Sequence, residues 1–301
     1  MAEGGIRKRT RVERFKGKFK FKGERQNRLA RKRDCGGWGI GLATKPLMKS
    51  SFSLIRVPVL AAVSLVFSVS AFADIPPSAV WPLPVVPPGT NPATLAVPRD
   101  EWVARVQQTL DRTKGKQFDL VFDGDSITDF WQGTGKAIWK ERYAAFTSMD
   151  FGISADKVEN LLWRLQQGQV DAADPKLVVL MIGTNNTGRD SIDQIAEGVS
   201  AVTAEYVKRC PHAQILLLGI FPRSPLPTDP IRAKIAAINK KLAGLQGGRV
   251  TFLDFGDKFL QPDGTLSKEI MPDYLHPSAK GYQIWADAIQ PVVDQYLKAA
   301  K

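Results

Sequence analysis

Two short stretches of the chain carry side chains that together could act on an ester. The first is Phe122-Asp-Gly-Asp-Ser126-Ile-Thr128, which follows an apolar run, and the second is Asp273-Tyr-Leu-His276-Pro277. A serine hydroxyl is a weak nucleophile until a histidine takes its proton, and an aspartate can fix the tautomer of that histidine. Ser126, His276 and Asp273 therefore predict covalent ester hydrolysis, with His276 as the base and Asp273 as its partner.

An ester hydrolase of this kind also needs hydrogen-bond donors for the negative oxygen that forms in its transition state. We predict three: the backbone N–H groups of Ser126 and Gly152, and the side-chain amide of Asn185. Ser154 also follows a predicted strand and stays open as an alternative nucleophile. The residues predicted to line the substrate pocket are Trp131, Asn186 and Tyr274.

The elements that must position these groups follow from the hydrophobic pattern. Five apolar runs alternate with helical patterns, as in consecutive βαβ units, and two of the runs are almost continuously apolar, which is typical of strands covered on both faces. We expect a three-layer α/β/α fold with a flavodoxin-like, five-stranded parallel sheet. Ligands of such folds bind outside the carboxyl ends of the strands, where every candidate residue falls. The predicted strands are Phe118–Asp123, Met149–Ile153, Leu177–Ile182, Gln214–Ile220 and Val250–Phe255.

The formal net charge of +12 lies in the N-terminal part of the chain. Residues 1–47 carry 15 Lys or Arg and 4 Asp or Glu, whereas residues 74–301 carry 25 basic and 26 acidic residues. The charge therefore gives no support for nucleic acid as a partner of the domain. We expect residues 1–47 to be a disordered basic extension. Our hypothesis is that translation starts at Met48; a long basic leader and an RNA-binding tail are the alternatives.

Residues 48–73 match the pattern of a secretory signal peptide. Two basic residues, Lys49 and Arg56, precede an uncharged run, and Ala71-Phe-Ala73 supplies a small-x-small cleavage site. The uncharged run has 17 residues, fewer than the roughly 20 that span a bilayer, although a retained anchor stays open. We therefore expect an exported protein, periplasmic or extracellular, without stable membrane insertion. A proline-rich linker or surface wrap over 74–98 and a hydrolase domain over 99–301 complete the predicted organisation.

The composition favours chemistry without a metal or a cofactor. The chain has two histidines and two cysteines, and only Cys210 would remain after removal of the leader. Phosphate-binding Gly-x-x-x-x-Gly-Lys-Ser/Thr and metal-binding His-Glu-x-x-His patterns are absent from the sequence, as is the Gly-x-Ser-x-Gly elbow of α/β-hydrolases. We expect no cofactor and no metal site.

These motifs resemble those of the SGNH (GDSL-type) hydrolase superfamily. Gly124-Asp-Ser-Ile127 resembles its first block, Gly152 its second, Gly183-Thr-Asn-Asn186 its third and Asp273-x-x-His276 its fifth. The likeness is greatest to the branch of platelet-activating-factor acetylhydrolase catalytic subunits and their bacterial relatives. The third block of the superfamily usually reads Gly-x-Asn-Asp, and Asn186 replaces the acid here. That departure resembles the acetylhydrolase-like branch and leaves the predicted role of Asn185 intact.

The resemblance implies a metal-free hydrolase that cleaves short acyl esters, above all acetyl esters, through an acyl-enzyme. The substrate would be a small ester, a glycan or a lipid, and the resemblance does not indicate an oligomeric state. A non-catalytic carbohydrate- or lipid-binding protein on the same scaffold is the alternative function. A nucleic-acid-binding protein that uses the basic leader is a further alternative, which removal of residues 1–73 would eliminate.

Overall fold

Five parallel strands form one sheet in the order β2-β1-β3-β4-β5. They belong to a computed structural model that describes residues 87–298. Each predicted apolar run overlaps one observed strand, and each strand is shorter than its run. Strand β1 ends one residue after its predicted run, and β2 begins one residue before its run. The strands are β1 (Leu120–Gly124), β2 (Ser148–Asp150), β3 (Leu177–Met181), β4 (Gln214–Leu218) and β5 (Val250–Leu253).

Seven α-helices lie within the described residues, and three of them begin at a side chain that caps the first turn. The Ser191 side chain accepts from the Gln194 backbone N–H at the start of one helix, and Gln194 bonds back to Ser191. Pro230 occupies the first turn of the next, and Ser278 caps the last. The helices are α1 (Asp100–Thr113), α2 (Ser126–Asp129), α3 (Lys136–Arg142), α4 (Val158–Gln166), α5 (Ile192–Arg209), α6 (Pro230–Leu242) and α7 (Ala279–Val293).

Apolar side chains on both faces of the sheet are buried against helices. Alternate residues of each strand point to opposite faces, so Val121 and Val178 join one core while Phe122 and Val179 join the other. Helices α4, α5 and α6 cover the first face, and α3 and α7 cover the second. The expected three-layer α/β/α arrangement with a five-stranded parallel sheet is therefore confirmed.

The packed part of the domain begins before the predicted boundary at residue 99. Asn91 caps a short 3-10 helix, Pro92–Thr94, and its side-chain amide donates to the carbonyl oxygen of Gln194 at 2.9 Å. Ala93 is fully buried. The last residues of the predicted linker thus belong to the domain, because they cover α4 and α5. The predicted extension over 1–47, the signal peptide over 48–73 and the linker up to residue 86 lie outside the described residues.

Among residues 87–298, no helix is long and apolar enough to cross a membrane. The His, Cys, Asp and Glu side chains of the same residues form no group of three that could hold a metal ion.

Candidate active site

Ser126, His276 and Asp273 come together at the carboxyl end of the sheet. Ser126 Oγ lies 2.8 Å from His276 Nε2, and His276 Nδ1 lies 2.6 Å from Asp273 Oδ2. The serine and the histidine are 150 residues apart in the chain, so the fold alone produces this contact. The arrangement has the geometry in which an imidazole can take the proton of a serine hydroxyl while a carboxylate holds its other nitrogen.

The carboxylate of Asp273 is held within its own turn. Its Oδ1 accepts the backbone N–H groups of Leu275 at 3.0 Å and His276 at 2.8 Å. Burial raises the pKa of Asp273, but hydrogen bonds from the His276 ring and from these backbone groups outweigh it and leave the pKa below its usual value. The Phe130 ring flanks the imidazole, with ring centroids 5.0 Å apart. Asp273 therefore stays ionised and can orient His276.

Ser126 begins α2 directly after β1. The Asp125 side chain caps this helix, because its Oδ1 accepts the Ile127 backbone N–H at 3.0 Å. The first residue of a helix has no helical acceptor for its N–H, which leaves the Ser126 N–H available. From α7, the buried Tyr282 hydroxyl donates to the Ile127 carbonyl oxygen at 2.6 Å. Tyr282 thus fixes the nucleophile helix, a role that its apolar helical spacing did not reveal.

Gly152 does not offer the free N–H that the sequence predicted. Its N–H donates to Asp150 Oδ1 at 2.8 Å, and its carbonyl oxygen accepts from Arg105 at 3.2 Å. A Cβ atom at this position would lie 2.4 Å from the backbone nitrogen of Asp129. The glycine is therefore required for close packing against α2, and its N–H is already engaged.

Ala155, three residues later, presents an N–H that donates to no group between residues 87 and 298. It has a φ of 64°, in the left-handed region, within a turn that the Asp156 N–H closes onto the Ile153 carbonyl oxygen at 3.1 Å. The Asn185 amide donates to the Asp156 carbonyl oxygen at 2.9 Å, which leaves its second N–H unused. Asn185 therefore lies beside the Ala155 turn. The left-handed backbone of Ala155 is the feature that marks this turn as a candidate donor site.

Asp129, at the end of α2, joins the nucleophile helix to the same turn. Arg105 donates to both of its carboxylate oxygens, at 2.9 and 2.6 Å, and Ser154 Oγ donates to Oδ2 at 2.5 Å. Ser154, the alternative nucleophile, is therefore hydrogen-bonded to a carboxylate, whereas the imidazole of His276 is bonded to Ser126.

A buried charged network supports β1 beneath the site, and sequence reasoning missed it. Arg164 donates to Asp123 Oδ1 at 3.0 Å and to Asp156 Oδ2 at 2.8 Å, and all three side chains are excluded from solvent. Gln169 and Tyr206 also donate to Asp123, at 2.7 and 2.5 Å. Burial raises the pKa of Asp156 to about 6, although Arg164 opposes the rise. An aspartate within an otherwise apolar strand was the available signal.

Two of the three predicted pocket residues are buried in the structure, which corrects those predictions. Trp131 is 0% exposed and packs among aromatic rings, including Tyr282 at a centroid distance of 4.6 Å. Asn186 is also 0% exposed, and its amide donates to Glu159 and Asp190 at 2.9 and 2.7 Å. Tyr274 is partly exposed beside Asp273, with a φ of 60°.

Comparisons with known proteins agree with this fold and identify a family. The sequence model of the GDSL-like lipase/acylhydrolase family matches residues 122–284, more than half of the chain. Human platelet-activating factor acetylhydrolase IB subunit alpha1 is 33% identical over 200 residues, which cover 64% of this chain and 85% of that protein. The rat alpha2 subunit is 31% identical over 201 residues, which cover 66% and 86%.

Solved structures share the fold at lower identity. A GDSL-like lipase from Bacteroides thetaiotaomicron superposes with a TM-score of 0.51 at 20% identity, over 65% of this chain and 97% of that one. A Streptococcus pneumonia protein named after platelet activating factor superposes with a TM-score of 0.55 at 24% identity, over 64% and 93%.

The parallel sheet and the converging serine, histidine and aspartate define a serine-hydrolase class of site. The chain belongs to the GDSL-like lipase/acylhydrolase family. The predicted SGNH-type fold and the resemblance to acetylhydrolase subunits are confirmed, and the protein is a carboxylic ester hydrolase.

Proposed function

We propose that the protein is a serine esterase that removes short acyl groups, above all acetyl, through an acyl-enzyme. The observation that carries this proposal is the unbroken contact from Ser126 Oγ through His276 to Asp273, at 2.8 and 2.6 Å. Ser126 Oγ attacks the ester carbonyl carbon while His276 Nε2 takes the hydroxyl proton. His276 then returns that proton to the departing alkoxide, which leaves as an alcohol.

Deacylation reverses the roles with water in place of the alcohol. His276 takes a proton from water, the resulting hydroxide attacks the acyl carbon, and the proton passes to Ser126 Oγ as the free acid leaves. Asp273 stabilises the imidazolium in both halves of the reaction. We propose that the negative oxygen accepts from the N–H groups of Ser126 and Ala155 and from the Asn185 amide, since the N–H of Gly152 is engaged.

The proposed substrate is an acetylated small ester, glycan or lipid. The curated relatives are named platelet-activating factor acetylhydrolase, which supports a short acyl group here.

Hydrolysis of p-nitrophenyl acetate, butyrate and octanoate by the wild-type protein and the Ser126→Ala variant tests this function. We expect acetate to be the best substrate and Ser126→Ala to lose at least about 10³-fold in kcat. Ser154→Ala is the comparison variant: it removes a neighbouring hydroxyl that has no imidazole partner but is hydrogen-bonded to Asp129, so its loss of kcat should be far smaller than that of Ser126→Ala. Equal activity in the Ser126→Ala variant, or loss only in Ser154→Ala, would contradict the assignment of the nucleophile.

We also propose that the protein is exported after cleavage behind Ala73. The pattern of residues 48–73 supports this, and the domain needs no disulfide because its only described cysteine, Cys210, is buried and free. Mass spectrometry of the mature protein from fractionated cells provides the test. An N-terminus at Asp74 in the periplasm or medium is expected, and an intact Met1 or Met48 in the cell interior would overturn the proposal.

A further inference from the structure

A partly exposed arginine lies at the carboxyl end of β4 without an acidic partner. Arg223 Nη1 lies 3.4 Å from Thr184 Oγ1 and 3.5 Å from the Thr184 carbonyl oxygen, both at the outer limit of hydrogen bonding. Among the residues that the structure describes, no carboxylate lies within 4.0 Å of this guanidinium, and its Nε and Nη2 have no acceptor. Since a guanidinium has five N–H donors, most of them are available to a ligand.

Arg223 follows β4 at the edge of the sheet where the nucleophile also lies. Its contact residue, Thr184, directly precedes Asn185, and its charge acts on the buried Asp125, which directly precedes Ser126. Burial raises the pKa of Asp125 to about 7, and Arg223 weakly opposes that rise.

The backbone next to Arg223 is also linked to the catalytic turn. The Ser224 N–H donates to the Tyr274 carbonyl oxygen at 3.0 Å, and both residues have a left-handed backbone, with φ of 71° and 60°. This bond holds the Arg223 segment against the turn that carries Asp273 and His276. The backbone of Arg223 is therefore held close to the turn that carries the catalytic groups.

Two further cations on α6 strengthen the positive potential on this side. Lys234 Nζ lies 2.6 Å from the carbonyl oxygens of both Thr187 and Asp190, and Arg232 donates to two other carbonyl oxygens. Neither cation has a carboxylate within 4.0 Å in the described part of the chain, although Asp229 is close enough to act on Arg232. Carbonyl oxygens hold these groups in place without cancelling their charge.

We propose that Arg223 binds an anionic group, a carboxylate or a phosphate, on the alcohol half of the ester substrate. This inference rests on the proposed short-acyl esterase function. An acetyl group carries no charged substituent, so the anion must belong to the alcohol half of the ester. A guanidinium pairs with either anion through two parallel N–H···O bonds, and such charge-assisted bonds are the strong ones.

Three aryl acetates that share the acetyl group test the proposal. They are 3-acetoxybenzoate, 3-acetoxyphenyl phosphate and the neutral 3-acetoxybenzamide, and kcat/KM is measured for each with wild type and Arg223→Gln. We expect wild type to prefer an anionic ester, and the ratio of anionic to neutral kcat/KM to fall about tenfold or more in Arg223→Gln. The anionic ester with the larger fall identifies the carboxylate or the phosphate as the natural group.

Lys176→Gln is the matched control, because Lys176 lies at the opposite, amino end of β3 and its loss changes the net charge equally. The ratio should stay at its wild-type value in this variant. An equal fall in kcat/KM for all three esters in Arg223→Gln would overturn the proposal. So would a higher kcat/KM of wild type for the neutral ester than for both anionic esters.

Binding to the inactive Ser126→Ala protein makes the test independent of turnover. Calorimetry should show that adding Arg223→Gln weakens 3-acetoxybenzoate or 3-acetoxyphenyl phosphate about tenfold relative to 3-acetoxybenzamide. Equal binding of all three would overturn the anion site. Failure of Ser126→Ala to abolish hydrolysis would instead overturn the proposed nucleophile.

Discussion

Asp129 accepts two hydrogen bonds from Ser154 on the same oxygen, 2.5 Å from the hydroxyl and 3.1 Å from the backbone N–H. Asp129 ends the helix that Ser126 begins, and Ser154 directly precedes Ala155. The carboxylate therefore fixes the distance between the nucleophile helix and the turn with the proposed oxyanion donor. Burial raises its pKa, but Arg105 and Ser154 outweigh burial and keep that pKa below its usual value.

Replacing this carboxylate by an amide should impair catalysis more than folding. In Asp129→Asn the new NH2 group must face donors from Arg105 or Ser154, so one of the two contacts is lost. We expect kcat for p-nitrophenyl acetate to fall about 10- to 100-fold, with a smaller change in KM. Asp119→Asn, which removes a carboxylate at the amino end of β1, is the control. Unchanged kcat with a lowered free energy of unfolding would show a purely structural role.

The close approach of Gly152 to α2 leads to a second prediction. The Cβ of Gly152→Ala would lie 2.4 Å from the Asp129 nitrogen and 2.8 Å from the Thr128 carbonyl carbon. Both are backbone atoms of the nucleophile helix, so the helix must shift. We expect a loss of about 1–3 kcal/mol in the free energy of unfolding and a reduced kcat.

Gly188→Ala is the matched control for this substitution, because a Cβ there meets nothing within 4 Å. Its free energy of unfolding should stay within about 0.5 kcal/mol of wild type. Urea denaturation and steady-state kinetics measure both variants. Wild-type kinetics in Gly152→Ala would show that α2 tolerates the displacement.

The buried cap of α2 should make stability depend on pH. Burial raises the pKa of Asp125 to about 7, and its Oδ2 has no hydrogen-bond partner among the described residues. The unfolded chain releases this proton near pH ~3.9. Between these values the folded protein binds more protons than the unfolded chain, so Asp125 contributes less and less stability as pH rises from about 4 to about 7.

Asp125→Asn should remove that dependence, because asparagine still caps Ile127 but does not ionise. We expect the free energy of unfolding of the variant to gain on the order of 2 kcal/mol over wild type between pH 5 and pH 8. Urea titrations at both pH values measure the gain. A difference between the two proteins that is the same at pH 5 and pH 8 would contradict the buried, protonated state.

Replacing Arg164, which lies between two buried carboxylates, should strongly lower the free energy of unfolding. Arg164→Met leaves Asp123 and Asp156 buried without their shared cation. We expect a loss of about 3–5 kcal/mol in the free energy of unfolding. Arg142→Met, which removes a partly exposed arginine paired with Asp287 at 2.8 Å, should cost no more than about 1 kcal/mol. Similar losses in the two variants would show that the buried network is not specially stabilising.

The sequence allowed the convergence of Ser126, His276 and Asp273 to be predicted because the carboxyl ends of parallel strands meet at one edge. The exact length of an edge strand could not be predicted. Strand β2 ends at Asp150, three residues before the predicted end at Ile153, and the chain then turns. That turn engages the N–H of Gly152 and leaves the N–H of Ala155 free.

The hydrophobic pattern of the sequence also did not predict the direction of side chains that follow a helix. Trp131 follows Ser126 closely enough to line a pocket, but a 3-10 turn over Phe130–Gln132 directs it into the core. Its neighbour Phe130 lies against the His276 ring instead. Likewise, the spacing of Asn185 and Asn186 gave no sign that one amide lies beside the Ala155 turn and the other is buried between Glu159 and Asp190.

The turn from Asp273 to His276 is closed by its own hydrogen bonds, so acid and base form a self-contained unit. The exposed tip before it, where the Gln261 N–H donates to the Thr265 carbonyl oxygen at 2.9 Å, contributes nothing to that geometry. The segment from Gln261 to Thr265 can therefore change in length or in side chains without changing the hydrogen bonds that join Asp273 to His276. An acid–base pair that is held by its own turn tolerates variation in the segment that precedes it.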